Sequence, residues 1–319
     1  MAIYCEGLVA LRFDRRYGPA VVEVLFLRSL AGAQAPQLDS LKNRTRFPVA
    51  GTTMKPFSLS RILAAIQDLR DGMRQSELWL TLAWHDIRQR YRRSIAGPFW
   101  ITISMAMMIG GLGYLSTGVF NQRVDDHLPY LAAGIIVFSL ISSLVNEGCN
   151  VFIETSRSIL QIKAPFSIYV YQIVWRNLLI FLHNITIYGA VAIIFKLNPG
   201  YVALLAVLGV FAILLNSFFL TFTLGGLGAR FRDVPLICTN LMQVAFFMSP
   251  VFWRPTAVQN QLFIELNPFY YFIESVRMPL LGEPPPAKIW LVIAAITVGN
   301  AVVSVLFFAR VRPRIPYWL

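Results

Sequence analysis

Residues 128–151 read LPYLAAGIIVFSLISSLVNEGCNV, twenty-four positions with a single charged residue, Glu147. At 1.5 Å rise per residue such a helix is roughly 36 Å long, enough to cross the ~30 Å hydrocarbon layer of a bilayer. Working outward from it, Pro98–Phe120, Ile168–Phe195, Tyr201–Leu227, Val234–Trp253 and Ile289–Ala309 are also mostly apolar, which makes six expected spans. Only the second and third hold a charge well inside their limits, Glu147 and Arg176. The composition agrees. Of 319 residues, 56% are hydrophobic and 14% charged, against about 25% charged in an average soluble chain. The mean hydropathy is +0.60.

The net charge of +12 is distributed as a membrane protein would have it. With the N-terminus inside, 15 Lys and Arg precede Gly97. Arg157, Lys163, Arg230, Arg232, Arg310, Arg312 and Arg314 bring the inner total to 22. Arg123, Lys196, Arg254, Arg277 and Lys288 make 5 outside, and Arg176 lies within a span. Positive charge collects on the cytoplasmic side, so both termini are expected there. The basic residues flank apolar runs and form no separate basic domain, which argues against nucleic acid as a partner.

Two stretches are neither span nor ordinary loop. In Ser76–Ser94, Leu80, Trp84, Ile87 and Tyr91 fall on one helical stripe, while His85, Gln89, Arg92 and Arg93 face the other way. That is the pattern of a basic amphipathic helix lying in the membrane interface, and also of a plain positive flank. Gly97-Pro98 would end it. Between the fifth and sixth spans, Thr256–Glu265 and Pro268–Leu280 are helical patterns too short to cross, the second with Asn267 as N-cap and Pro268 at the first helical position. They read as a pair of short helices dipping into the membrane from outside and returning.

The expected architecture is therefore an all-α polytopic membrane protein: six transmembrane helices, an N-terminal amphipathic interface helix, and two short re-entrant periplasmic helices. Residues 1–57 form an extension with Met54 as an alternative start. Residues 58–97 are cytoplasmic or interfacial helices, 98–309 the six-helix domain and 310–319 a cytoplasmic tail.

Catalytic chemistry is missing from the sequence. No G-x-x-x-x-G-K-[ST] phosphate loop and no H-E-x-x-H occur. Three cysteines (Cys5, Cys149, Cys238) are too scattered for a zinc site or disulfide framework. Asp125-Asp126 reads as a solvated turn, and Gly225-Gly226-Leu227-Gly228 as a place for close helix packing or a flexible span end. Glu147 and Arg176 lie at similar depth on neighbouring antiparallel spans, so they either pair or snorkel separately to the inner surface. Arg176 and His183, with Asn177 and Asn184, put polar stripes on the third span. These either line a path or bind helices together.

The run Leu78–Trp100, which ends WHDIRQRYRRSIAGPFW, resembles the permeases of type-2 ABC exporters, and within them the subfamily exporting bacterial O-antigen, capsule or teichoic acid. Further matches are the Pro165-Phe166-Ser167 ending of the segment 152–167, Arg176-Asn177 and His183-Asn184, Ala229–Asp233, and Leu266-Asn267-Pro268 with Arg277. The likeness runs from about Ser76 to the C-terminus. It implies a homodimer of permeases working with a separate nucleotide-binding ATPase subunit, which would carry the ATP and Mg; this chain would bind no cofactor and no metal. It further implies that Trp84, Asp86, Arg88, Tyr91, Arg92 and Arg93 belong to an interface helix beside the ATPase. Arg157, Ser158 and Lys163 would belong to a coupling helix, with Arg230, Arg232 and Asp233 as a second contact. Asn267, Pro268 and Arg277 would belong to a periplasmic gate. Trp100, Tyr114, Arg176, His183, Phe246 and Phe247 are candidates for the path of a lipid-linked glycan, although aromatic residues in spans also mark interfaces and ordinary packing. Competing readings are an ABC permease for a drug or another lipid and a polytopic glycan-assembly protein. A proton-driven carrier would show internal repeats, and none is evident.

Overall fold

The computed structural model describes residues 59–92, 97, 99–120, 123–162, 164–257 and 261–319. The N-terminal extension 1–57, Arg93, Lys163 and part of the expected helix 256–265 lie outside the described residues, as does the side chain of Tyr91. Among the described residues all regular structure is helical: α1 Leu59–Arg74, α2 Ser76–Tyr91, α3 Phe99–Phe120, α4 Val124–Glu154, α5 Ser156–Gln161, α6 Ser167–Ile194, α7 Leu204–Arg230, α8 Val234–Met248, α9 Gln261–Glu265, α10 Pro268–Leu280, α11 Ala287–Val311 and α12 Ile315–Trp318.

Among the described residues, four helical segments are long and apolar enough to cross a membrane: Val124–Gln161, Ser167–Ile194, Gly200–Arg230 and Ala287–Trp318. These contain α4, α6, α7 and α11. α3 and α8 are apolar but shorter by the same measure. The expected span Val234–Trp253 ends early, at Met248. Pro250 has no N–H to continue the ladder, and Ser249 already has extended backbone. Residues 249–254 instead fold back over the start of α4, where Val251 is fully buried.

α4 is the central helix, buried over most of its length, with α6 and α7 as its main neighbours. Glycines let α7 approach closely: a Cβ on Gly225 would meet the Gly148 carbonyl at 3.0 Å, and one on Gly228 would collide with the Cys149 carbonyl. The glycine run at the end of the fourth span is thus a packing surface, as its sequence suggested. α7 and α11 are joined by a polar seam inside the apolar bundle. Asn300 Nδ2 donates to Asn216 Oδ1 at 2.8 Å, Asn216 Nδ2 donates to Thr297 Oγ1 at 3.2 Å, and Ser304 Oγ lies 2.9 Å from Thr223 Oγ1. In a bilayer, where burial against lipid gives helices little driving force, such bonds hold neighbours in register.

Side-chain contacts distinguish the two ends of the bundle. At one, Asp68 of α1 pairs with Arg312 after α11 at 2.8 Å and accepts from the backbone N–H of Ser167 at the start of α6 at 3.0 Å. Arg230, ending α7, lies over the ring of Trp318. At the other, Arg254 donates to the Asp126 carbonyl at 3.0 Å and Lys288 pairs with Glu265 at 2.5 Å.

α10 lies against α4 and α7 at that second end. Its N-cap is the one expected: Asn267 accepts from the Phe269 N–H at 3.0 Å, with Pro268 opening the helix. Arg277 is fully buried. It pairs with Glu274, donates to the Pro250 carbonyl at 2.7 Å, and stands over the Tyr130 ring with its central carbon 3.7 Å from the ring centre. One guanidinium therefore ties α10, the 249–254 turn and α4 together.

Gly134 faces this knot, and a Cβ there would collide with the Val251 carbonyl and lie 3.1 Å from Arg277 Nη1. Gly134→Ala is expected to lower stability by about 1–3 kcal/mol through overpacking. Gly110→Ala on α3, where an added Cβ meets nothing within 4 Å, should be neutral or stabilising by up to about 1 kcal/mol. Thermal unfolding of the two variants in detergent checks the contrast.

Candidate functional site

The densest set of charges inside the bundle is built by three helices. α6 supplies Gln172, Arg176 and Asn177, at the spacing that puts residues i, i+4 and i+5 on adjoining helical rows. α4 supplies Glu147 and α2 supplies Asp86. Arg176 forks between the two acids: Nη2 lies 2.9 Å from Glu147 Oε2 and Nη1 lies 2.5 Å from Asp86 Oδ2. Gln172 Nε2 donates to the same Asp86 oxygen at 2.7 Å, and Asn177 Nδ2 donates to Glu147 Oε2 at 2.5 Å. Arg90, near the end of α2, stands 3.5 Å from Glu147 Oε1. Exposure falls inward, from 30% for the Asp86 side chain to 20% for Glu147 and 9% for Arg176.

The planar guanidinium suits this work because its fixed fork can donate to two carboxylates at once. Two amide side chains take up further acceptor capacity on the acids, so neither carboxylate depends on the arginine alone. The pairing of Glu147 with Arg176 chooses between the two sequence readings, since the groups do not snorkel separately. Asp86 is the member that sequence reasoning missed. It was read as part of an interface helix, and nothing in its spacing from Arg176 along the chain announces that they meet.

α2 is laid on α6 by the row next to its apolar stripe. Trp79 stacks on Tyr171 with ring centres 5.6 Å apart and meets Trp175 edge-on at 6.0 Å; Ala83 is fully buried. Trp84 is left 60% exposed, and Arg88 and Arg92 are exposed as well. Trp79, Ala83 and Asp86 form the face that touches protein.

The expected contact elements gather at the same end of the bundle. Arg157 and Ser158 lie on α5, a six-residue helix directly after α4 that leaves Leu160 and Ile162 each 60% exposed. Arg230, Arg232 and Asp233 are exposed between α7 and α8, with Arg230 also over the Phe231 ring at 5.0 Å. α12 contacts both α5 and α7.

The path candidates divide. Phe246 and Phe247 line a groove of about 470 Å³ between α3, α4 and α8, whose α4 wall carries Ser139, Ser142, Ser143 and Asn146 and whose α8 wall adds Thr239 and Gln243. Those small polar residues were not singled out from sequence, although Ser139, Ser142/Ser143 and Asn146 recur every three or four positions. Trp100 and Tyr114 are exposed on α3, His183 meets Phe99 edge-on at 5.4 Å, and Arg176 is occupied by its two acids. None of these four lines the groove. Of the gate candidates, Arg277 sits in the knot around Tyr130, while Asn267 and Pro268 open α10 ten residues earlier, where Asn267 Nδ2 donates to Ser249 Oγ at 2.9 Å.

Arg176→Leu would leave Asp86 and Glu147 facing each other without their shared cation. It is expected to cost about 3 kcal/mol, the lower end for breaking a buried pair because both acids keep some solvent. Asp86→Asn alone should cost about 1 kcal/mol. The double variant should cost clearly less than the sum, by about 1 kcal/mol, as contacting residues do. A double-mutant cycle by thermal unfolding in micelles measures this.

Residues 77–281 match the family model described as ABC-2 type transporter. The chain is also similar to the O-antigen export system permease protein RfbA of Myxococcus xanthus, at 21% identity over 238 residues covering 73% of this chain and 92% of that protein.

Proposed function

The chain belongs to the ABC-2 type transporter family and is a multi-pass membrane protein, and from that premise we propose that it is the permease subunit of an ATP-driven exporter that moves a lipid-linked surface polysaccharide across the bacterial inner membrane. The cargo class rests on the likeness to an O-antigen export permease. In this reading the chain is not itself an enzyme. A separate ATPase subunit binds ATP and Mg, two copies of this permease pair, and α3 and α8 complete a count of six crossings with both termini in the cytoplasm. α9 and α10 are then the short helices that enter and leave the outer side.

The observation that carries the mechanism is the fork of Arg176 between Asp86 and Glu147. It joins an exposed basic helix at the membrane margin to two spans. Movement imposed on α2 by a partner is therefore passed to α4 and α6 without slack. α5, continuing from α4 with Leu160 and Ile162 exposed beside Arg157, offers a short knob for a groove on the ATPase. Arg230, Arg232 and Asp233 supply a second, charged contact.

Transport is assigned to the groove between α3, α4 and α8. Hydroxyl and amide groups on its α4 wall can exchange hydrogen bonds with sugar hydroxyls. Phe246, Phe247 and Phe138 offer apolar ring faces that tolerate varied linkages. α3 and α8 flank the groove with exposed apolar residues such as Met107 and Leu241, and a second copy facing it would close the path.

A tagged chain is expected to co-purify with the product of an adjacent ATPase gene, and Arg157→Glu combined with Arg230→Glu should reduce that recovery about tenfold, on the scale of ~1.4 kcal/mol. Lipid-linked glycan should stimulate ATP hydrolysis by the complex. Stimulation by a drug or simple lipid alone would favour the other cargo, and no ATPase in any preparation would end the exporter reading.

A further inference from the structure

α1 has three faces, and among the described residues one of them carries its buried contacts. At 100° per residue, Ala65, Asp68 and Gly72 share a side, and all three are buried. Asp68 accepts from Ser167 N–H and pairs with Arg312, while a Cβ on Gly72 would collide with Ser167 Oγ. Ser167 opens α6 and Arg312 follows α11, so this face rests on the ends of two membrane-spanning helices. About 140° around the helix stand Leu59, Leu63, Ile66 and Met73, exposed by 72%, 58%, 50% and 66%. Arg70 lies in the same row and Arg74 at its margin. A polar strip with Gln67 and Asp71 fills the remaining side.

A helix on the surface of a water-soluble region would not turn four large apolar side chains outward in one row. Here the row begins where α6 and α11 leave the apolar layer, and it continues from the packed residues Ile62 and Leu69. Its cations sit where long side chains can reach up to phosphate while their stems stay in hydrocarbon. Protein on one side, apolar residues with arginines on the second and a polar strip on the third is the arrangement of a helix lying in the plane of a head-group layer.

We propose that α1 is a lipid-binding element: it lies at the bilayer surface beside the bundle, with Leu59, Leu63, Ile66 and Met73 among the acyl chains and Arg70 and Arg74 on the phosphates of anionic phospholipid. Through Asp68 this lipid-seated helix holds the start of α6 and the end of α11. The proposal rests on the multi-pass placement of the chain and not on what it transports, so loss of ATPase binding or of glycan dependence would leave it standing.

The test uses the full chain with Cys5, Cys149 and Cys238 replaced by alanine, placed in nanodiscs with or without phosphatidylglycerol. A single cysteine, Leu63→Cys or Gln67→Cys, carries an environment-sensitive fluorophore. A lipid bearing a shallow spin label should quench the probe at position 63 about threefold more than the probe at 67, and aqueous iodide should do the reverse. Arg70→Gln with Arg74→Gln should abolish the rise in unfolding temperature given by phosphatidylglycerol while keeping the quenching pattern. Equal iodide access at 63 and 67 overturns the proposal. So does shielding of position 63 that appears only with the ATPase or with a second copy in the disc, because the row would then cover protein. A phosphatidylglycerol effect unchanged by the double variant overturns the phosphate contact.

Discussion

Arg176 is the constraint on which the arrangement depends. A guanidinium 9% exposed within a bundle of apolar helices is tolerable only if its charge is met on the spot, and two carboxylates from two other helices meet it. The consequence is mechanical as well as electrostatic. α2, α4 and α6 cannot separate at this level without stranding a charge in a poorly solvated place, so they share one register. The apolar contacts of Trp79 with Tyr171 and Trp175 would allow sliding. The ion cluster fixes where the sliding stops.

The opposite end of the bundle is organised on the same principle with different parts. Arg277 is buried without any solvent contact and is satisfied by Glu274, by main-chain carbonyls of the 249–254 turn, and by the ring of Tyr130. Each end of the bundle is thus held by one arginine-centred knot. Between them the α7–α11 seam is neutral, made of amides and hydroxyls, and the groove between α3, α4 and α8 carries the same uncharged polar chemistry.

Much of this was legible in the sequence, for reasons that can be stated. Apolar runs of bilayer length are long-range averages that survive errors at single residues, and four of the six expected ones are helices long and apolar enough to cross. The Asn267-Pro268 cap is local stereochemistry, so it was read correctly. Glu147 and Arg176 could be paired because a short connection between antiparallel spans fixes their relative depth. Asp86 could not be found in this way. It lies on a helix outside the spans, joined to α6 only through tertiary contact, and its sequence position carries no depth. The early end of α8 was concealed because Val251, Phe252 and Trp253 are as apolar as a span, whereas it is Pro250 that stops the helix. The face of α2 that meets protein was likewise not legible, since it is marked by Ala83, a small residue suited to close helix contact, and not by a conspicuous apolar stripe.

The account's central claim is that the Arg176 cluster transmits motion from the margin of the membrane into the bundle. Spin labels at Gln89 on α2 and Leu236 near the start of α8, both exposed, report on this directly when a complex with the proposed ATPase is compared with and without a non-hydrolysable ATP analogue. The account predicts a distance change between the labels on nucleotide binding, and its loss when Arg176 is replaced by glutamine in a complex that still assembles. An unchanged distance in the native complex, or the same change without Arg176, would contradict it.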